Sequence, residues 1–425
     1  MMKPMKRFLR IALFLLLAIP VLLITKEFIQ TPGHEAVGVP ITGSAMQVAQ
    51  GKYLALAGNC MGCHTMRGGA QYAGGRPIST PFGTIYSPNL TQDKTSGLGN
   101  WSADDFWQAL HNGKSRDGSF LYPAFPFTNY TRMTRPDSDA MYAYFKTLTP
   151  VDQNNRPNTL RFPYNQRALL SAWRVLYFTP GSQPVDASQS VAWNRGAYLV
   201  EGLGHCSACH ASRTTLGGST GGLDGGLIPV LDWYAPSLTS SSEAGLGDWQ
   251  QSHIVDLLQT GISPRGAVFG PMAEVVGASL QHLTEPDLQA MAGYLKSLPQ
   301  TNEPALQPVV LDESTRQLGS KLYEQHCVSC HRADGNGIPP HYPPLAGNRA
   351  ITMASAINPI RIVLNGGFPP STSGNPRPYG MPPFAAVLND AEVAAVVSYT
   401  RATWGNVRPA VTAFEVARNR AIPSD

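Results

Sequence analysis

Cys60-Met61-Gly62-Cys63-His64, Cys206-Ser207-Ala208-Cys209-His210 and Cys327-Val328-Ser329-Cys330-His331 are three copies of one short pattern, and they use all six cysteines of this 425-residue chain. In C-x-x-C-H, the two thiols attach a c-type haem covalently and the adjacent histidine ligates its iron. A zinc site needs four ligands, usually in closing pairs, and a redox dithiol has no need of the histidine. The pattern therefore predicts three covalently bound haem c groups, with iron ligated by His64, His210 and His331.

The first thirty residues resemble a membrane-targeting segment. An apolar run from Ile11 to Thr25 follows four basic residues, Lys3, Lys6, Arg7 and Arg10, which is typical of a secretory signal. No pair of small residues marks a cleavage site after the run, and the stretch from Phe8 to Phe28 has the roughly 20 residues that span a bilayer. We expect residues 1–30 to stay as an anchor, with a cleaved signal as the alternative. Because bacteria attach haem c outside the cytoplasmic membrane, both place the protein on its periplasmic side.

The composition fits loop-rich haem domains. The formal charge is +4, and charged residues make up only 14% of the chain. The four basic residues ahead of the apolar run account for this surplus, so nucleic-acid binding has no support. The 41 glycines and 36 prolines favour loop-rich domains over long regular helices.

The sequence around the motifs also repeats, which indicates three units of similar build. A glycine and an aromatic residue precede each motif, in the pairs Gly51 and Tyr53, Gly196 and Tyr198, and Gly319 and Tyr323. A proline and a leucine follow each motif, at Pro88 and Leu90, Pro236 and Leu238, and Pro343 and Leu345. We assign haem domains to residues 45–150, 186–300 and 312–408, a linker to 151–185 and a polar tail to 409–425.

These units resemble small class I cytochromes c, so we expect a mainly α fold of three tandem haem domains with loop-rich connections. The resemblance implies that the proline carbonyl accepts the Nδ1 proton of the ligand histidine and orients its ring. It also implies that an aromatic residue of each closing helix packs on the glycine before the motif, although core packing alone would explain these tyrosines. The expected pairs are Gly51 with Tyr144, Gly196 with Tyr294, and Gly319 with Tyr399. The closing helices show N-cap residues at Thr134, Thr284 and Asn389.

Two units offer a methionine as the second axial ligand of the iron. Met272 in Gly270-Pro271-Met272 and Met381 in Tyr379-Gly380-Met381-Pro382-Pro383 precede their closing helices, where a class I cytochrome carries its methionine ligand. A thioether ligand raises the reduction potential. We expect both methionines to ligate iron from loops, and a core role is the alternative.

The first unit departs from this pattern. Its loop from Leu121 to Phe127 carries Phe125 near the place where the other units have methionine. Met133 follows at the start of the closing helix, and we expect it to ligate the first iron. His111 is the other candidate, but its place near the end of an earlier helix favours a structural role.

Residues 45 to 405 resemble the three-haem cytochrome c subunits of membrane-bound periplasmic dehydrogenases of the alcohol, aldehyde and gluconate dehydrogenase type. The resemblance rests on the stretches 87–91, 122–133, 270–276 and 380–384. It implies a separate catalytic subunit, with a flavin, molybdopterin or quinoprotein cofactor, and electron transfer through the haems to ubiquinone in the membrane. No spacing on this chain resembles a catalytic set of its own. The alternatives are a multihaem enzyme such as a peroxidase and a free carrier between respiratory complexes.

Two further features leave more than one interpretation open. Leu160 to Phe178 is amphipathic, with Trp173 and Tyr177 beside a rim of arginines. This linker is suited to the membrane surface, to the catalytic subunit or to packing between the first two units. For His205 and His326, directly before Cys206 and Cys327, we expect packing beside a haem edge more than a role in proton-coupled transfer.

Overall fold

The computed structural model describes residues 40–219, 222–301 and 310–422. The predicted signal or anchor, residues 1–30, lies outside these ranges. Within them, no helix is both long enough and apolar enough to cross a bilayer. Helices dominate the described chain and the strands are short, so the prediction of a mainly α fold is confirmed.

Each of the three predicted haem domains is framed by a leading helix that runs into the motif, a middle helix and a closing helix. The leading helices are Ala45–Ala57, Val191–Ala197 with its π-helical continuation Tyr198–Leu203, and Glu313–His326. The middle helices are Ala103–Asn112, Gln251–Thr260 and Ile357–Asn365. The closing helices are Arg135–Phe145, Glu285–Ser297 and Asp390–Ala402.

Shorter elements fill the connections. The motifs form short helices at Cys60–His64, Ser207–His210 and Val328–His331, and further helical segments lie at Phe127–Tyr130, Arg167–Leu169, Leu170–Tyr177, Leu246–Asp248, Gly270–Ala278, Leu280–His282, Arg349–Thr352 and Ala413–Arg420. The described residues contain three small antiparallel sheets. In the first, Gly83–Tyr86 lies between Pro77–Thr80 and Thr159–Leu160 and pairs with both. The other two pair Gly226–Ile228 with Trp233–Ala235, and Ile262–Ser263 with Gly266–Ala267.

The leading and closing helices cross at the predicted glycines. A Cβ atom added to Gly51 would lie 2.9 Å from Tyr144 Cβ, and one added to Gly319 would lie 2.6 Å from Tyr399 Cβ. Backbone carbonyl oxygens of the closing helices would lie closer still, at 1.9 Å from the Cβ atom on Gly51 and 2.5 Å from the one on Gly319, so only glycine leaves room for the helices to touch. The same approach occurs at Gly196 and Tyr294, and all three predicted contacts are confirmed.

The closing helices begin at the predicted N-cap residues, but the caps differ. Thr134 accepts a hydrogen bond from the backbone N–H of Asp137, and Asn389 forms a capping box with Glu392. Thr284 occupies the N-cap position without a side-chain cap. Its hydroxyl lies 3.4 Å from the Tyr53 hydroxyl, which also accepts the Thr284 backbone N–H. A tertiary contact therefore replaces the local cap that the sequence predicts.

The described chain divides into two compact bodies. The first body contains residues 40–52, 64–183 and 214–219, and the second contains Tyr53–Cys63, Pro184–Arg213 and the described chain after residue 221. The second and third haem domains share the second body because direct contacts join them. The backbone N–H of Tyr234 donates to Asn358 Oδ1 at 2.9 Å, and the Asn358 amide donates to the Tyr234 carbonyl at 2.8 Å.

The tail contains more structure than its polar composition indicates. Helix Ala413–Arg420 begins with a capping box between Thr412 and Glu415. Val411 and the fully buried Val416 pack into the core of the third domain. These two valines dock the tail on that domain together with Arg420, whose guanidinium donates to Asp390 at 2.6 Å and to the Leu388 carbonyl at 2.8 Å.

The linker helix Leu170–Tyr177 packs its aromatic side inside the first body. The Trp173 indole donates to the Leu216 carbonyl at 3.0 Å, and its ring meets Phe127 edge-on. The sequence predicted an exposed rim of arginines along this helix, and that prediction is wrong for Arg174, which is buried. Its guanidinium donates to the Asn112 carbonyl and stacks on surrounding aromatic rings, and these contacts offset the cost of burying the charge.

Candidate haem-binding sites

The three motif histidines share one hydrogen-bond arrangement. The Nδ1 atoms of His64, His210 and His331 lie 2.8, 2.8 and 3.1 Å from the carbonyl oxygens of Pro88, Pro236 and Pro343, respectively. The predicted proline contacts are therefore confirmed. Because Nδ1 is engaged, the ring of each histidine is oriented and its Nε2 is left to ligate iron.

Burial favours the neutral form of these histidines. Desolvation lowers the pKa of His64, His210 and His331, and the proline carbonyls oppose this shift only partly. Metal ligation requires the neutral imidazole. The environment of each ring therefore matches its predicted role.

The six motif cysteines are thiols, which covalent haem attachment requires. Burial raises the pKa of the Cys60 and Cys206 thiols to about 12 and that of Cys327 to about 11. None of the six cysteines is disulfide-bonded. Each motif could thus hold a haem through two thiols and one imidazole nitrogen, and the bound haem would supply one-electron redox chemistry.

The first motif depends on local backbone geometry. Asn59, directly before Cys60, has a positive φ of 51°, and a Cβ atom on Gly62 would lie 2.4 Å from the Asn59 side-chain oxygen. Glycine at this place lets the motif turn pass over the asparagine side chain. In the second motif, His205 takes the corresponding conformation with a φ of 41°.

The two expected methionine ligands have different settings. Met381 lies in a loop and exchanges two backbone hydrogen bonds with Gly367, at 2.8 and 3.0 Å. Met272 was expected in a loop, but it lies in the first turn of helix Gly270–Ala278. Pro271 explains the difference, because proline near a helix start fixes φ for the helix and loses no hydrogen bond there.

Met133 is fully buried, directly before the N-cap residue Thr134. Leu283 and Leu388 occupy the same place before the other two closing helices, and both are buried in the core. The ring of Phe125 packs against Tyr130 with centroids 5.3 Å apart. Met133 therefore stands where the other two units have a core leucine, and its thioether is chemically able to ligate iron.

His111, the other candidate in the first unit, stacks on Trp107 with ring centroids 4.2 Å apart and nearly parallel planes. Burial lowers its pKa. Its Nδ1 atom is buried and makes no hydrogen bond within the described part of the chain. The stacking fixes the ring against its own helix, in keeping with the structural role expected for it.

One buried charge was not singled out from the sequence. Arg361 is only 1% exposed, and its guanidinium lies 5.1 Å from the ring centroid of Trp233. Both residues belong to the second body, where the second and third domains meet. An arginine inside the apolar stretch Ile360–Leu364 was the available signal, since lone charges on a buried helix face are rare.

Comparison with known proteins gives one matching family and several similar cytochrome subunits. The cytochrome c family matches residues 48–149 and 317–404. The cytochrome c subunit of alcohol dehydrogenase (quinone) from Gluconacetobacter polyoxogenes is 37% identical, over 90% of this chain and 85% of that protein. The cytochrome c subunit of gluconate 2-dehydrogenase from Pantoea cypripedii is 38% identical, over 88% and 89%. The fructose dehydrogenase cytochrome subunit from Gluconobacter japonicus is 34% identical, over 90% and 84%.

Proposed function

This chain belongs to the family of dehydrogenase cytochrome c subunits, and we propose that it passes electrons from a separate catalytic subunit through three covalently bound haems to ubiquinone. It is an electron-transfer protein that binds haem c covalently. The observation that carries the proposal is the histidine-to-proline hydrogen bond, repeated at all three motifs. The second motif lies outside the ranges that match the cytochrome c family, so its geometry is the main support for a third haem.

The proposed axial ligands are His64 with Met133, His210 with Met272, and His331 with Met381. Cys60, Cys63, Cys206, Cys209, Cys327 and Cys330 would hold the three haems. Histidine–methionine coordination favours the ferrous state and a high potential, which suits a carrier that receives electrons from a dehydrogenase. The first pair is supported by the sequence exchange itself, since Met133 stands where the other two units have a core leucine, Leu283 and Leu388.

The proposed partner is a catalytic dehydrogenase subunit at the periplasmic face of the cytoplasmic membrane. Relatives of this chain are cytochrome subunits of alcohol, gluconate and fructose dehydrogenases. Oxidation of such a substrate releases two electrons together, whereas each haem accepts one. The role of this chain is then to divide the pair into single steps, and the cofactor of the partner is a flavin, a molybdopterin or a quinone.

Intact-mass measurement tests the haem count directly. Thioether bonds survive denaturation, so the mature chain from a periplasmic preparation should carry the mass of three haems. A Cys206→Ser/Cys209→Ser variant should carry two, because its second motif cannot form thioether bonds. A wild-type mass with two haems would overturn the proposal for the second motif.

Co-purification tests the partner. Mild detergent extraction with the chain as bait should bring down a catalytic subunit, and its substrate should reduce the haems and then added ubiquinone analogue. Reduction of the haems by substrate without a second subunit would contradict the assignment and favour an enzyme of its own.

A further inference from the structure

The end of the first leading helix packs as part of the second body. Tyr53–Cys63, which contains both cysteines of the first motif, groups there with the second and third haem domains. Three contacts hold this segment along its length, at Tyr53, Ala57 and Gly58. They connect the first haem-attachment peptide to residues of the second haem domain.

The contact farthest from the motif joins Tyr53 to the carboxylate of Asp287. The Tyr53 hydroxyl donates to Asp287 Oδ2 at 2.6 Å, and Arg195 donates two hydrogen bonds to the same carboxylate at 2.7 and 2.8 Å. Asp287 lies on the closing helix of the second domain and Arg195 on its leading helix. A bidentate arginine–carboxylate pair is geometrically specific, so Tyr53 is held by a carboxylate whose own position is already fixed.

The next contacts lie closer to the motif. The Ser279 hydroxyl donates to the Ala57 carbonyl at 3.2 Å, within the buried interior. One residue later, a Cβ atom on Gly58 would lie 3.2 Å from the Leu203 side chain. The ends of the first and second leading helices thus meet where each helix runs into its own C-x-x-C-H motif.

His205 makes the last contact. Its ring hydrogen-bonds the backbone of Gly58, two residues before Cys60, and His205 itself directly precedes Cys206. Its backbone is held at a φ of 41°, a conformation that is uncommon for a side chain other than glycine and is retained when the surroundings require it. A single side chain therefore joins the two haem-attachment peptides.

The third motif has no such link in the described structure. His326 occupies the equivalent position but lies within the leading helix Glu313–His326, and its ring contacts Phe384 of its own domain at 5.7 Å between centroids. The sequence gives both motifs a histidine before the first cysteine. The structure assigns them different roles.

We propose that His205 is a positioning residue that holds the first haem-attachment peptide against the second, so that electrons pass directly between the haems they carry. This inference rests on the proposed function and adds to it the contact that connects the first two haem-attachment peptides. The exchange moves one electron, with no bond or proton change, so one haem iron is oxidised as the other is reduced. His205 acts only by fixing the spacing of the two attachment peptides.

The test uses the full-length three-haem protein with His205→Leu and His205→Gln, and His326→Leu as the matched control. Flash reduction injects electrons, and rapid-freeze electron paramagnetic resonance follows their redistribution among the ferric haems. We expect slower redistribution in His205→Leu with unchanged haem content and midpoint potentials. His205→Gln, which keeps an N–H donor, should recover most of the rate, and His326→Leu should match wild type.

Equal rates in His205→Leu and wild type would overturn the inference, as would equal losses in His205→Leu and His326→Leu. Should His205→Leu fail to bind its haems, the double variant Tyr53→Phe/Ser279→Ala loosens the same segment without touching a motif. It should also slow redistribution, and an unchanged rate would overturn the inference. Failure of the proposed function gives a different result, because the wild-type chain would then lack three haems or accept no electrons from a dehydrogenase.

Discussion

Gly196 lies directly against Tyr294, so that a Cβ atom on the glycine would be 2.7 Å from Tyr294 Cβ and 2.1 Å from the Ala290 carbonyl oxygen. Both distances are too short for non-bonded atoms. The closing helix therefore already fills the space that any other residue at position 196 would need. The same crossing recurs at Gly51 and Gly319, so it holds the leading helix against the closing helix in each of the three units.

Replacing Gly196 with alanine should destabilise the second domain. Overpacking a close helix contact costs about 1–3 kcal/mol, and here the obstructing atoms are backbone that cannot rotate away. Thermal unfolding followed at the haem absorbance should show a lower midpoint. Gly293→Ala is the matched control on the closing helix, where an added Cβ would meet only the end of the Gln251 side chain at 3.6 Å. A control as unstable as Gly196→Ala would contradict the steric argument.

Replacing Met381 or Met272 with leucine should remove the sixth ligand of one iron. The midpoint potential of one haem should fall, because the ferrous state loses its thioether, and carbon monoxide should bind the reduced variant at that haem. Met291→Leu is the control, since this methionine is buried in a closing helix and a volume-conserving exchange is tolerated there. Unchanged spectra in Met381→Leu would assign that methionine to the core.

Met133→Leu separates ligation from packing in the first domain. Leucine occupies the equivalent places at 283 and 388, so the fold should be retained while the potential of one haem falls. Met141, also buried in the first domain, provides the control variant Met141→Leu. If the reduced spectrum and all three potentials of Met133→Leu matched wild type, Met133 would be a core residue and the first iron would need another ligand.

The ion pair between Asp287 and Arg195 should make the free energy of unfolding depend on pH. Burial raises the pKa of this carboxyl, but hydrogen bonds from Arg195 and Tyr53 lower it more, so its pKa lies below the ordinary value. A depressed folded-state pKa contributes stability above about pH 4, the unfolded pKa of aspartate, and loses it as the pH falls further. Urea midpoints of Asp287→Asn should be lower at neutral pH and should approach those of wild type on acidification. If the urea midpoints of Asp287→Asn and wild type ran parallel across the pH range, the Asp287 carboxylate would not be the source of the pH dependence.

The linker helix should respond differently on its two sides. Trp173→Ser removes a packed ring and its hydrogen bond to Leu216, so the first domain should lose up to roughly 3 kcal/mol. Leu176→Ser changes a side chain that is 65% exposed and should alter stability by less than about 0.5 kcal/mol. Denaturation monitored by tryptophan fluorescence distinguishes the two. Equal stability in both variants would mean that the aromatic side does not hold the helix in the first body.

Local signals in the sequence determined much of the candidate site. The C-x-x-C-H motifs predict the cysteines and histidines, the following prolines predict the carbonyls that orient His64, His210 and His331, and the repeated glycines predict the helix crossings. These features are readable because each depends on a few residues at fixed spacing. The caps at Thr134 and Asn389 follow for the same reason, since a helix start is decided within one turn.

Only the tertiary structure decided the rest. It placed Met272 in a helix, buried Arg174 and docked Val416 of the tail on the third domain. It also showed that Thr284 gives up its cap for Tyr53 and that His205 reaches the first attachment peptide while His326 does not. Each of these outcomes depends on a partner distant in sequence, and the free energy of such contacts overrides local preference. Three similar motifs thus have local geometry in common, whereas their connections to one another differ.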